Sequence, residues 1–568
     1  MNITVLLILA LVAYNCVFAN EDELKIKIDK GIIRGAYRKS MKGRQILAFT
    51  GIPFAKPPVR ELRFKPPVEP EAWSGILDAT KPHPICPQMD PYFNNYEVKG
   101  NEDCLYLNVY KPQITQSKGK LLPVLFHIYA GGFTSGNANP DVYGPDILLD
   151  KDVILVSPNS RIGLLGFLST GDEIVPGNNG LKDQTFALEW TRKNIIDFGG
   201  DPNKVTIFGG SSGAGCVHLH VVSPLSRGLF NSAIAHSGSA TALWSVAPEG
   251  EQEKNIKKLG KLLNCPIDTI ANAVECLRKV DAYDIVDQDK EFMEFSIDPE
   301  TPFKPVIEPD LEGAFIRKHP IDIIKSGETS NVTLVFGITT EDGAFKPSMF
   351  FNDSKLIERL NEDFDYVVPL SLLYDTTATE GDKNYITSRI KEFYFKNKQI
   401  DETMIRQLTH LYTDSYFFYP QNLAARLHVK YTNTRIYYFV FGYKGSLTLI
   451  PFFGDATRDY GVCHGDDINY ILSNEFYGDY KPTESDQKII DLLTTMWVNI
   501  ADTGIPTPRL DDVVKTKWLP IEKEDKLLYY FIKNENEAEM VENIYLERTQ
   551  FWEKLPLYSK QKNIKTEL

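Results

Sequence analysis

The chain alternates between short, uninterrupted apolar runs and longer stretches whose apolar residues return at helical intervals. The runs are "LPVLFHIY" (122–129), "DVILVSPN" (152–159), "KVTIFGG" (204–210), "FNSAIAHSG" (230–238) and "VTLVFGITT" (332–340). A strand with one wet face alternates apolar and polar residues. Unbroken apolarity instead predicts strands buried on both faces, as in a parallel sheet covered by helices. Between the second and third runs, "LKDQTFALEWTRKNIIDFGG" sets Leu181, Leu188, Ile195 and Ile196 at helical spacing, and Gly199 with Gly200 ends the element. Strand, helix, strand predicts the α/β class, with a central, mostly parallel, twisted sheet and helices on both faces. Residues 250–330 and 350–430 are more charged and more helical in pattern, so they are expected as long excursions from that sheet. No repeat, low-complexity tract or linker divides residues 20–568, which predicts a single catalytic-size domain.

Charge removes one class of partner. The net charge is -14 with no basic stripe, whereas nucleic-acid binding needs clustered Lys and Arg to displace counterions, so no nucleic-acid partner is expected. Residues 1–19, "MNITVLLILALVAYNCVFA", carry no charged side chain and end in a small residue, the pattern of a signal peptide cleaved after Ala19. No later segment reaches the roughly 18 apolar residues of a membrane-spanning helix, so no transmembrane segment is expected. The last four residues, "KTEL" (565–568), differ from Lys-Asp-Glu-Leu at one position and suggest binding to a retention receptor. The endoplasmic reticulum lumen is the expected location, with secretion as the alternative. Asn331 and Asn352 begin sequons that accept glycans where exposed.

An oxidising compartment changes how the seven cysteines are read. Cys16 lies in the signal segment, and six others allow fifteen pairings in principle. Two pairings are local. Cys86 and Cys104 bracket the polar, aromatic loop "PQMDPYFNNYEVKGNED", whose closure is worth roughly 3 kcal/mol in the chain-entropy model. Cys265 and Cys276 bracket a shorter one. Cys216 and Cys463 are expected to be free.

Candidate chemistry centres on "FGGSSGAG" (208–215). A G-x-S-x-G frame fits Ser211, with Gly209 and Gly213, but not Ser212, which meets Ala214 where glycine is needed. The strand "VTIF" precedes it and a helical stretch, "AGCVHLH", follows. That is the context of a nucleophile elbow, in which small neighbours let the strained serine project above the sheet. The Gly-Lys-Ser/Thr ending of a phosphate-binding loop is absent. Among nine histidines, His83 and His319 lie in proline-rich loops, His127 and His236 in strands, and His410 and His428 on helix faces. His218 and His220 sit two apart on one helix, facing different ways, which argues against a metal pair. His464, in "GVCHGDD", stands in a glycine-flanked loop that can bring an imidazole to the top of a sheet. An acid between serine and histidine in the chain completes the α/β-hydrolase order, and "EDG" (341–343) after a strand supplies Asp342 or Glu341.

"FGGDPNKVTIFGGSSG" (198–213) and "EDCLYLNVY" (102–110) resemble the two signature stretches of the type-B carboxylesterase and cholinesterase family, and "GNNGLKDQ", "NSRIGLLGFLS", "GIPFAKPP" and "GVCHGDD" add to the likeness. It runs from about residue 25 to beyond 550, with an overall similarity to insect esterases. The resemblance implies an α/β-hydrolase fold with Ser211 as nucleophile, His464 as general base and acid, and the carboxylate before Gly343 as orienting acid. The family commonly has Glu there and this chain has Asp342, with Glu341 as the alternative. Both local disulfides fall on the family's pattern. "YAGGF" (129–133) resembles the family's oxyanion stretch, so the N–H groups of Gly131 and Gly132 are expected to join that of Ser212. Ala130, Gly210 and Ser212 depart from the usual Gly, Glu and Ala without removing a donor.

The resemblance implies a serine carboxylesterase that hydrolyses small-molecule carboxylic esters through an acyl-enzyme, with no cofactor and no metal, and that reacts with organophosphates or carbamates. A general or detoxifying insect esterase is the first expectation. A juvenile-hormone or pheromone/odorant esterase is the alternative, and a non-catalytic adhesion or binding relative a further one. The loop between Cys86 and Cys104 has Tyr92, Phe93 and Tyr96 but lacks the tryptophan with which cholinesterases hold a quaternary ammonium, which argues against acetylcholine. Trp244 resembles the family's acyl-pocket tryptophan.

Overall fold

The structure is a computed structural model that describes residues 23–93, 95–113, 119–561 and 564. The signal-peptide and retention-tail expectations lie outside the described residues.

Eleven strands form one sheet. In chain order they are β1 (Ala36–Lys39), β2 (Gln45–Pro53), β3 (Tyr106–Pro112), β4 (Leu122–Ile128), β5 (Ile154–Pro158), β6 (Gly200–Gly210), β7 (Ser232–His236), β8 (Thr333–Thr339), β9 (Arg435–Phe441), β10 (Leu528–Asn534) and β11 (Glu537–Glu542). Their order in space is β1-β2-β3-β5-β4-β6-β7-β8-β9-β10-β11. Every pairing from β5 across to β10 is parallel. The pairings toward β1 and the last one, β10 with β11, are antiparallel. The five apolar runs are the central strands β4 to β8. The antiparallel margins did not announce themselves, because margin strands such as β1 and β11 are half exposed and mix charge with apolar residues.

The central strands are apolar throughout because two cores press on them. Val124, Val156, Val205, Ile207 and Ala233 enter the core on one face. Leu125, Leu155, Phe208, Ile234 and Val335, at intervening positions, enter the other. Successive side chains of a strand point to opposite faces, so each residue finds an apolar layer. Helix α1 (Asn179–Asn194) follows β5 and returns the chain to β6. Helix α2 (Ser212–Val222) leaves the end of β6 and is buried along its whole length. Helix α3 (Glu484–Thr503) covers the other face and contributes Trp497 to the second core. Two stretches that carry the family likeness serve as braces: the Arg161 guanidinium grips Asp183 at 2.7 and 2.8 Å, with both side chains buried.

Candidate active site

Ser211 is the single residue between β6 and α2, with φ 56° and ψ −126°. A serine at positive φ is strained, and the surrounding contacts hold it there. Its N–H donates to the carbonyl of His236 at 2.9 Å, and its own carbonyl accepts from Gly215 N–H at 3.0 Å. The flanking glycines are a consequence of β4, which passes close by. A Cβ at either Gly209 or Gly213 would lie 2.3 Å from the Ile128 carbonyl oxygen. The positive end of α2 lies directly behind the serine.

Asp342 follows β8, and His464 sits in the turn that "GVCHGDD" makes. Nδ1 of His464 lies 2.7 Å from Oδ1 of Asp342, while Oδ2 accepts from Thr339 N–H at 3.2 Å. The carboxyl has no exposure, and burial pushes its pKa up, with the imidazole opposing that shift. Glu341 is committed elsewhere: its Oε2 accepts from Thr340 Oγ1 at 2.6 Å and from Val462 N–H at 3.0 Å. Of the two adjacent carboxylates, Asp342 meets the imidazole. One face of that imidazole is covered by Phe417, stacked at 4.5 Å between ring centres. A π-helical turn, Asp414–Phe418, delivers this ring.

Gly131 and Gly132 have φ of 124° and 61°. The Gly131 carbonyl accepts from Thr134 and Ser135, which folds the loop back on itself. Among the described residues, the N–H groups of Gly131, Gly132 and Ser212 donate to no other protein group. Side chains are excluded at the two glycines, since a Cβ on Gly132 would lie 1.9 Å from the Tyr92 hydroxyl and one on Gly131 would lie 2.2 Å from the Ser135 carbonyl.

These parts share one cavity of about 250 Å³, whose wall includes Ser211, Ser212, Gly131, Gly132 and His464. The rest mixes aromatic side chains, among them Tyr92, Phe93, Trp244, Phe345 and Phe453, with polar and charged ones such as Asp90, Asn137 and Glu300. Trp244 is buried and donates from Nε1 to the Tyr416 carbonyl at 2.9 Å, so its edge is fixed. Tyr96 is 43% exposed and stays outside the lining. Cys86 and Cys104 are disulfide-bonded and close the loop that presents Tyr92 and Phe93; Cys265 and Cys276 form a second disulfide. Cys216 and Cys463 are free and buried. Burial pushes the Cys216 thiol up to about 12, so it stays protonated and inert. Both sequon residues, Asn331 and Asn352, are exposed.

The remaining histidines do other work. His127 lies against Tyr143 and Phe208, and burial lowers its pKa to about 3. His218 Nε2 faces His428 Nε2 at 2.9 Å, and His220 is held by Ser226 and Gln184. His83 stacks on Tyr106, and His319 caps a short helix. No group of three or more metal-ligating side chains is present among the described residues. Nor is any described helix long and apolar enough to cross a membrane. Sequence patterns gave no sign of Phe417 and Phe345 around His464, nor of His236 bonded to Asp467, because these contacts join segments with no shared periodicity.

Comparison with known proteins agrees in both sequence and fold. The model of the carboxylesterase family matches residues 22–552. Esterase FE4 of Myzus persicae is 37% identical over 516 residues, covering 90% of this chain and 89% of that protein. Venom carboxylesterase-6 of Apis mellifera is 34% identical over 543 residues, covering 95% of each. The crystal structure of juvenile hormone esterase from Manduca sexta, with OTFP covalently attached, superposes with a TM-score of 0.83 at 26% identity, covering 94% of this chain and 99% of that one.

Proposed function

Because the chain belongs to the carboxylesterase family, we propose that it hydrolyses carboxylic esters through an acyl-enzyme on Ser211. In this reading His464 Nε2 takes the hydroxyl proton while Oγ attacks the ester carbonyl carbon. The oxyanion that forms is held by the N–H groups of Gly131, Gly132 and Ser212, which donate to no other protein group among the described residues. The bond to the alcohol then breaks, and the alcohol leaves with the proton from His464. Water repeats the sequence: it gives a proton to His464, attacks the acyl carbon and releases the acid as the proton returns to Oγ. Asp342 keeps the proton of the neutral imidazole on Nδ1 and steadies the imidazolium.

The observation that carries this reading is His464, bonded to the buried Asp342 and set in the wall of the cavity that also holds Ser211 and three amides with no other acceptor among the described residues. Its test is turnover of 4-nitrophenyl acetate and butyrate by the wild type beside Ser211→Ala. Loss of turnover in the variant, with an organophosphate adduct on Ser211 of the wild type, is the expected result. Equal rates would instead favour a non-catalytic binding relative.

For substrate, a general esterase is the first reading, since the aromatic side chains of Tyr92, Phe93, Trp244 and Phe345 line part of the cavity and suit apolar esters. Reaction with organophosphates and carbamates belongs to it, and the covalent ligand of the Manduca sexta structure is consistent with such a serine. Juvenile-hormone ester hydrolysis is the second reading, supported by the same superposition. A panel of short acyl esters against long isoprenoid methyl esters separates the two by kcat/KM. A secretory-pathway location, with retention through residues 565–568, is proposed alongside, supported by the two disulfides.

A further inference from the structure

The loop that carries His464 is tied to the sheet by a second His–Asp pair that the reaction above leaves unused. Oδ2 of Asp467, three residues beyond His464, lies 2.7 Å from Nδ1 of His236, and each side chain is 1% exposed. The other ring nitrogen of His236 accepts from Trp497 Nε1–H at 3.1 Å. An indole N–H only donates, so Nε2 of His236 carries no proton and the Nδ1–H is directed at Asp467. The ring is thereby locked as one neutral tautomer, which disqualifies it as the reaction's base.

His236 is also the last residue of β7, where it pairs with Gly210, and its carbonyl accepts the N–H of Ser211 at 2.9 Å. One residue therefore grips the serine through its main chain and the His464 loop through its side chain. Other anchors of that loop lead elsewhere. Asp466 accepts from Leu449 N–H and Cys463 N–H, and Val462 N–H donates to Glu341. Among the described residues, the bond to His236 is the side-chain hydrogen bond from residues 461–468 that reaches β6 or β7.

We infer that the His236–Asp467 bond is a positioning clasp that sets the distance of the His464 imidazole from Ser211. The inference rests on the ester-hydrolase reading and gives Asp467 and His236 a role as positioning residues. Trp497, from α3, fixes the ring in the orientation that the clasp needs. The pair ties the loop directly to the strand that grips the serine, which its other hydrogen bonds among the described residues do not, and a displacement of about 1 Å between reacting groups costs about a hundredfold in rate.

The test compares Asp467→Ala with Asp467→Asn in the full chain, using 4-nitrophenyl butyrate and circular dichroism to verify the fold. The alanine variant is expected to lose about a hundredfold in kcat with KM changed less than about threefold. Asn retains an oxygen that accepts from His236 Nδ1–H, so it should recover most of that loss. His236→Asn and His236→Phe form a second pair in case Asp467→Ala does not fold: Asn can still donate to Asp467, Phe cannot, and the clasp requires the first to be the more active. A kcat for Asp467→Ala within threefold of wild type, a loss confined to KM, or Asn variants no better than their Ala or Phe counterparts would overturn the clasp. Ser211→Ala, measured in parallel, tests the ester-hydrolase reading separately. A normal Asp467→Ala beside an inert Ser211→Ala defeats the clasp alone.

Discussion

Nδ1 of His464 lies 2.7 Å from Oδ1 of Asp342, a carboxyl with no solvent exposure, while the adjacent Glu341 bonds to Thr340 and Val462 instead. Asp342→Asn keeps the shape but lets an amide face the imidazole, which favours the wrong tautomer. A fall in kcat of about 10⁴ is expected. Glu341→Gln should cost no more than a few-fold. Both are read from steady-state hydrolysis of 4-nitrophenyl butyrate, and the reverse ranking would reassign the acid.

Gly132→Ala addresses the amides. The added methyl would meet the Tyr92 hydroxyl at 1.9 Å, on a backbone with φ of 61°. The loop must move, and the amide moves with it. Losing one donor of this kind costs about 10² to 10³ in kcat. The rate of acylation in a stopped-flow burst is the measurement.

Gly213→Ala challenges the elbow itself. Its Cβ would lie 2.3 Å from the Ile128 carbonyl and 2.6 Å from that of Tyr129, and backbone cannot yield as a side chain does. Overpacking of this kind costs about 1 to 3 kcal/mol. A lowered thermal midpoint is expected together with lost activity, whereas an unchanged midpoint would mean that the strand and helix are less tightly apposed.

Acid stability has an identifiable contributor in Asp486, buried at the start of α3. Burial alone would raise its pKa, but hydrogen bonds from Ser446, Thr483 and Tyr443 outweigh it and bring the value from 3.8 to about 2. A carboxyl depressed in the folded state stabilises fully above its unfolded pKa and loses that contribution as pH falls through the folded one. The stabilisation is therefore present above about pH 4 and disappears toward pH 2. Denaturant midpoints measured across that range should fall less steeply for Asp486→Asn than for the wild type.

Both sequon asparagines are exposed. In a secretory host each should add one glycan, seen as a mass shift removed by peptide N-glycosidase and lost one at a time in Asn331→Gln and Asn352→Gln. Deleting residues 565–568 should move the protein into the medium and render those glycans resistant to endoglycosidase H. Sensitivity unchanged by the deletion would count against retention.

The elbow was legible in the chain because Gly209 and Gly213 frame Ser211 in a recognisable pattern, although what excludes side chains there is the Ile128 carbonyl of β4. A strand buried on both faces must be apolar throughout, so β4 to β8 were legible too. Elimination among nine histidines left His464, since the others sit in strands, on helix faces or in proline-rich loops, whereas His464 stands in a glycine-flanked loop. What folding alone decided is which groups meet. Glu341 and Asp342 are neighbours with the same chemistry, and only the direction in which the chain leaves β8 turns one toward the imidazole and the other toward Val462. Phe417 over His464, and Asp467 bonded to His236, depend on segments far apart in sequence that are apposed by packing. Contacts of that kind follow no period and carry no local strain, so nothing in the order of residues marks them.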